Sequence, residues 1–328
     1  MKRATTRLRW AAAACIALLA ASAAPAAQAA DTVHVANVSR TLFSLPLWIA
    51  MKHGFMTAEG IEATSTILDS AEKINAALRS GEMHIAMGTP EAVLIDGYKG
   101  GSLRLIAGNT GKLPHFIIAK PAIKTLKDLK GANFGILSEK EGSTYVVQDI
   151  MRSQGFAPAD YTMTAVGGAP TRWRLLKEGK IDAGLQPFPL SYEAEAAGFT
   201  NLGSVIPFVP EWQFTSVNAD LAWAGKNRAV VVRFLRALQK GRDFMDTHPA
   251  ESAAVAVEEL KTTPTLAARA LAEAAKLGIL DPDLALSEPG LRKVFDTLQK
   301  SGELDAKATY DTARFVDLSF LRESRAAR

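Results

Sequence analysis

The sequence is short of several things, and each shortage removes a class of function. Only one of its 328 residues is a cysteine, Cys15. It sits in an early apolar stretch, follows Ala12-Ala13-Ala14, and has none of the setting of a lipid-attachment cysteine. Beyond it there is no thiol, and hence no disulfide, thiolate metal ligand or cysteine nucleophile. The five histidines show neither H-x-x-H nor H-E-x-x-H spacing, so no zinc motif is present. No apolar run after Ala24 approaches the roughly 20 residues of a membrane span. Charge of one sign is missing too. Lys and Arg number 38 against 34 Asp and Glu, and Lys2, Arg3, Arg7 and Arg9 carry the whole excess. The remainder is balanced, which gives no footing to nucleic acid or an anionic membrane as partner. A G-x-S-x-G elbow is also absent, and no triad or metal constellation stands out.

What is present begins with those four cations. They precede an apolar segment, Trp10 to Ala24, and a small-residue site, Ala27-Gln28-Ala29. Charge, apolar core and A-x-A site in that order predict a cleaved secretory signal over residues 1–29 and an exported mature chain starting near Ala30.

The mature part is long enough for two domains and carries a repeated pattern. Gly54-Phe-Met-Thr-Ala-Glu-Gly60 is echoed by Gly155-Phe-Ala-Pro-Ala-Asp160, 101 residues later. Leu78-Arg-Ser-Gly81-Glu-Met83-His84 is echoed by Leu176-Lys-Glu-Gly179-Lys-Ile181-Asp182, 98 residues on. Two matches in one order at nearly one offset predict two lobes of related architecture. Strands are expected at 33–38, 83–87, 103–107, 116–119, 133–136, 162–166 and 181–185. They alternate with helices, an α/β pattern with parallel strands. Asp69-x-x-Glu72 reads as a capping box, Thr89-Pro90 as a helix start, and Ser143-Thr144 as the opening of a helix ending at Gly155. After residue 220 the pattern becomes helical, at 226–246, 250–260, 264–277 and 290–320 with a break near Gly302, a set too small to stand alone.

These pieces resemble the sulfonate/nitrate/taurine family of ABC-importer binding proteins, which shares a domain with thiamine-pyrimidine synthases. The resemblance covers residues 33–260. It rests on Pro46-Leu-Trp-Ile-Ala50, Gly54-Phe-x-x-Ala-Glu-Gly-Ile61, Ala77-Leu-x-x-Gly81-Glu, Leu126-Lys-Asp-Leu-Lys-Gly131, the second Leu-x-x-Gly-Lys-Ile-Asp182 and Phe234-Leu-Arg-Ala237. His84 stands where the family usually has Asp. The resemblance implies a two-lobed periplasmic binding protein fold (type II-like). Each lobe would be a mixed sheet flanked by helices, with the C-terminal helical set packed on lobe 1. Lobe 1 is expected over 30–118, lobe 2 over 119–205 and the return to lobe 1 over 206–328. Crossings are placed near His115–Ala122 and Gly203–Pro210. It also implies a periplasmic, monomeric protein that takes a small-molecule ligand into an interlobe cleft, hands it to a membrane permease, uses no cofactor and performs no catalysis. A sensor for a membrane receptor is the alternative. A synthase-like enzyme fits poorly with an exported, cysteine-free chain.

In open α/β sheets ligands bind beyond the carboxyl ends of strands, and the candidate ligand residues follow from that rule. Ser39, Leu42 and Phe43 follow the first strand, with Trp48 in the next helix; core packing competes for the aromatics. Thr89 and Asn109 follow later strands, with capping and turn roles as competitors. In the second lobe Gly142, Ser143 and Thr144 form a helix start suited to an anionic head group, unless they only cap it. Gln186, Phe188 and Trp212 complete the set. Arg172, Trp173 and Arg174 are read as a solvated helix face. The aromatics favour an organic ligand and the helix start an anionic one, whereas Glu91, Glu139 and Glu141 would suit an amine.

Overall fold

A computed structural model describes residues 29–326; the signal expected over 1–29 lies outside the described residues except for Ala29. Two five-stranded mixed sheets, each flanked by helices, form the molecule. The first has the order β2-β1-β3-β10-β4, from β1 (Asp31–Asn37), β2 (Ile61–Ile67), β3 (Ile85–Gly88), β4 (Leu103–Thr110) and β10 (Thr215–Asp220). The second has the order β7-β6-β8-β5-β9, from β5 (His115–Ala119), β6 (Asn133–Ile136), β7 (Thr162–Ala165), β8 (Ala183–Pro187) and β9 (Thr200–Ser204). The two orders are the same pattern: β1, β2 and β3 correspond to β6, β7 and β8. In each sheet the fourth strand is antiparallel to both neighbours, β10 in the first and β5 in the second. The strands are thus not all parallel, and each antiparallel strand is the one that follows a crossing.

The chain leaves the first sheet after Thr110 and enters the second at His115. The first crossing is therefore 111–114, and residues 115–119, expected to cross, are paired in β5. The return runs from Ser204 to Thr215. Seven strands lie where the apolar pattern places them, while β2, β9 and β10 were not expected. β2 is an edge strand with only Ile61 buried. β10, Thr-Ser-Val-Asn-Ala-Asp, has every residue buried although four of the six are polar. Their needs are met in place, as where the Ser216 hydroxyl donates to Asn218 Oδ1 at 2.7 Å. Such a strand gives no apolar alternation to detect. The helix Ala71–Ser80 is capped one residue later than expected: Ser70 Oγ accepts from the Lys73 N–H, and Asp69 takes φ 52° as the chain turns into it.

The C-terminal helices pack on the first lobe. Arg228–Thr247 lies against Leu45–Lys52, close enough that Gly241 has Ala50 Cβ 3.0 Å from where its own Cβ would be. Val316 bridges to Leu105 and Leu280 to Thr110. The set also reaches the second lobe, where the Arg269 guanidinium lies 3.7 Å from the centroid of the Tyr192 ring. The break expected near Gly302 is present: the helix Glu288–Lys300 ends just before it, and a loop with a single turn at 312–314 leads to a helix Ser319–Ala326.

The repeat accounts for His84. Asp182, just before β8, accepts the Asn133 N–H of β6 at 2.8 Å. His84, just before β3, accepts the His34 N–H of β1 through Nδ1 at 3.2 Å and stacks on Trp223 at 4.7 Å. One strand-edge donor is thus served in both lobes by different acceptors. Burial, then the neighbouring His34, pulls the His84 pKa down and keeps the ring in the neutral form that an acceptor needs. His84→Asp is expected to fold with near-native stability in urea denaturation. His84→Ala should lose about 1 kcal/mol, because the N–H is left unpaired. Equal losses in the two variants would mean that the Trp223 stack, and not the acceptor, is what counts.

Candidate functional site

The site forms where strand ends of both sheets face each other. From the first sheet come Ser39, Thr41 and Phe43 beyond β1, Met87 at the end of β3 and Asn109 near the end of β4. From the second come Leu137, Glu141 and Ser143 beyond β6, with Arg172 from the helix Ala169–Lys177. His115, Phe214 and Thr215, beside the two crossings, form the back wall. Phe43, Phe214 and His115 pack ring to ring, with centroids 5.0–5.8 Å apart. The lobes touch across this space: Ser39 Oγ accepts the Ala169 N–H at 3.2 Å. The free volume is small, ≈ 30 Å³, room for about two water molecules.

Of the expected ligand residues, Ser39, Phe43, Asn109 and Ser143 line this space. The others are buried behind it. Leu42 and Trp48 belong to the core of the first lobe, with the Arg40 guanidinium 5.8 Å above the indole. Phe188 packs between Phe116 and Tyr192. The Gln186 amide bridges Ala169 O and the Trp173 N–H at 3.1 Å each, fixing the start of the Ala169–Lys177 helix. Thr89, fully enclosed, stands beside Glu91. Trp212, with Nε1 unpartnered, lies edge-on to Gly142.

The helix start at 142–144 differs in kind from the expectation. Glu141, not a ligand, occupies its anion position. The Glu141 carboxylate accepts the Ser143 N–H at 3.0 Å and the Ser143 hydroxyl as well. Thr144 Oγ1 donates to Ser138 O at 2.8 Å, and the Thr144 N–H is bound to Glu141 O at 3.0 Å. The donors meant for an anionic head group are spent on the cap.

Arg172 is a second correction. It is 4% exposed and no part of a solvated face. Its Nε and Nη2 donate to Leu185 O and its Nη1 to Gly167 O, at 2.9–3.1 Å, so it ties the end of β8 to the site wall. Trp173 is buried as well, against Phe199. Arg174 alone is exposed, paired with Glu178. Glu141, read from the sequence as suited to an amine, does line the wall, whereas His115, Phe214 and Arg172 were missed as wall residues. Glu141 carried a signal, as a carboxylate just before Gly-Ser-Thr. The others depend on pairings that a single chain does not display.

The wall has unusual electrostatics. Burial raises the Glu141 pKa, while hydrogen bonds from Ser143 and the charge of Arg172 pull it back. Burial, followed by the nearby Glu141 charge, pushes Glu91 up to about 8. Neither Glu91 oxygen makes a hydrogen bond of ordinary geometry, although Thr89 and the Gly142 N–H stand close. Burial and the Arg172 charge hold His115 well below its usual value, so the ring is neutral. Burial lowers Arg172 to about 10, against the opposing pull of Glu141 and Asp69. Among the described residues no group of three His, Asp or Glu side chains is placed to hold a metal ion.

Comparison with known proteins agrees with this architecture. A solved structure from Bordetella bronchiseptica RB50 superposes with a TM-score of 0.77 at 20% identity, covering 90% of this chain and 97% of that one. The ligand-binding component of an ABC-type import system from Staphylococcus aureus, with zinc bound, gives 0.71 at 13% identity over 90% and 99%. The periplasmic aliphatic sulphonate binding protein SsuA from Escherichia coli gives 0.64 at 15% identity over 88% and 92%. In sequence, YtlA of Bacillus subtilis (strain 168), a protein named for a proposed binding role, is 23% identical over 303 residues, 85% of this chain and 86% of its own. These likenesses establish the periplasmic binding protein fold. The family model described as NMT1/THI5 like matches residues 43–252, and the chain belongs to that family.

Proposed function

We propose that this chain is the periplasmic solute-binding component of an ABC importer, working as a monomer that captures a small organic ligand between its lobes and presents it to a membrane permease. One observation carries this: the polar, aromatic-backed space is walled by strand ends of both sheets, with the chain crossing twice behind it. Two crossings are the arrangement in which lobes rotate about a hinge. Support comes from the names of the structural neighbours in Staphylococcus aureus and Escherichia coli, a component of an import system and a periplasmic binding protein. The expected leader would deliver the chain to the periplasm. Binding without turnover is part of this reading.

The volume of ≈ 30 Å³ is too small for an organic molecule, so uptake must begin with the lobes apart. Small-angle scattering on the mature protein checks this. The radius of gyration should fall when a ligand that raises the melting temperature is added, and the ligand should be recovered chemically unchanged after denaturation. A bound ligand that leaves the radius as it was, or emerges altered, would sink the proposal.

A further inference from the structure

The polar atoms left over in the cleft specify what kind of head group it takes. Asn109 gives the clearest signal. Its Nδ2 donates to Phe43 O and Thr215 Oγ1, both at 2.9 Å, which fixes the orientation of the amide. Oδ1 therefore faces the other way, and it is buried with no partner. An unpartnered buried acceptor is costly and calls for a donor. His115 is 3% exposed, and its Nδ1 is likewise unpartnered. Glu141 adds a carboxylate to the same wall.

The donors are largely spent. The helix start at 142–144 is filled by Glu141. Three of the five Arg172 N–H groups are held by main-chain carbonyls, and its charge is matched by Glu141 and Asp69. The Ser44 hydroxyl donates to Asn37 Oδ1, and that of Thr215 to Thr110. Besides the Ser39 and Thr41 hydroxyls, the buried wall atoms left without a partner are Asn109 Oδ1 and His115 Nδ1, both able to accept. The rings of Phe43 and Phe214 add surface that attracts a cationic head or a planar body.

We infer that the ligand offers nitrogen-borne hydrogen-bond donors, as an amine or amidine on an apolar body does, and that Glu141, the Asn109 carbonyl oxygen and His115 receive them. This rests on the cleft being the solute site. Carboxylates and sulfonates would bring more acceptors to the unpartnered Asn109 oxygen, the His115 ring nitrogen and the Glu141 carboxylate, a mismatch that disfavours them.

Calorimetry and melting curves on the mature protein with benzamidine and benzylamine, against benzoate and benzenesulfonate, provide the test. The nitrogen bases should bind and raise the melting temperature, and the oxyanions should not. Glu141→Gln keeps an oxygen for the Ser143 cap, so it should melt near the wild type without ligand, yet bind benzamidine about 30-fold or more weakly. His115→Phe preserves the ring packing and should also bind more weakly. Binding of benzoate or benzenesulfonate with no effect of the bases would overturn the ligand class while leaving a solute-binding protein in place. Unchanged benzamidine affinity in both variants would remove these residues from recognition. If none of the four probes binds or compacts the protein, the ligand class and the cleft assignment fall together.

Discussion

Gly142→Ala is expected to hold the lobes apart. A Cβ at Gly142 would meet Glu91 Oε1 well inside contact distance, Glu91 Cδ at 2.9 Å and Trp212 Cζ2 at 2.6 Å. Glu91 begins the helix after β3 in the first lobe, and Trp212 belongs to the return crossing, so nothing it strikes is in its own lobe. The added methyl should leave each lobe folded and act on closure. Overpacking of this kind costs about 1–3 kcal/mol. At about 1.4 kcal/mol per tenfold, ligand affinity should fall roughly 5- to 150-fold, with a larger radius of gyration and a nearly unchanged melting temperature without ligand. A large drop in that melting temperature would instead show that Gly142 matters to the fold of the second lobe.

Glu91→Gln should change how the protein responds to pH. The carboxyl ordinarily titrates near 4.5 and is pushed up to about 8 by burial and by Glu141 across the lobe boundary. The closed state therefore holds a proton that an exposed Glu91 gives up. The stability this brings is fully present below about pH 4.5 and is lost as pH rises through about 8. A tenfold change in proton affinity corresponds to about 1.4 kcal/mol, so the effect amounts to several kcal/mol. The groups facing this carboxyl include Glu141, with Arg172 beside it, and Tyr145. The raised Glu141 acts in the same direction, whereas His115, held below its usual value, opposes it as pH falls. The difference between variant and wild type isolates Glu91. At about pH 8.5 Glu91→Gln should be the more stable and the more compact; near pH 4.5 the two should coincide. Parallel melting profiles across that range would mean that Glu91 is hydrated and titrates normally.

The lobes were visible in the sequence because a repeat and apolar strands are local signals. Gly54 and Gly155, and Gly81 and Gly179, mark matching turns, all at positive φ. The cleft was visible only in outline. Ser39, Phe43 and Ser143 lie beyond strand ends and Asn109 next to one, where a general rule puts ligands. Trp48, Phe188 and Trp212 satisfied the same rule but turned inward, because burying a large ring outweighs exposing it. Arg172 was misplaced for a related reason. On a helix amid Trp173 and Arg174 it looks like surface, and only the free carbonyls of Gly167 and Leu185 make its burial tolerable. β10 escaped detection because most of its side chains are polar, and their partners, such as Thr110 for Thr215 and Ser102 for Asp220, lie far off in sequence.

The position of β10 also governs the order in which the chain can assemble as it emerges N-terminus first. Every strand of the second sheet lies between residues 115 and 204, so that lobe is complete in one contiguous stretch. The first sheet must wait for residues 215–220, which fill the slot between β3 and β4. Until then β3 and β4 present bare edges, the kind of surface that invites unwanted pairing. The lobe whose chain emerges first is the one that matures last, and the second lobe completes its contacts while its neighbour is still open.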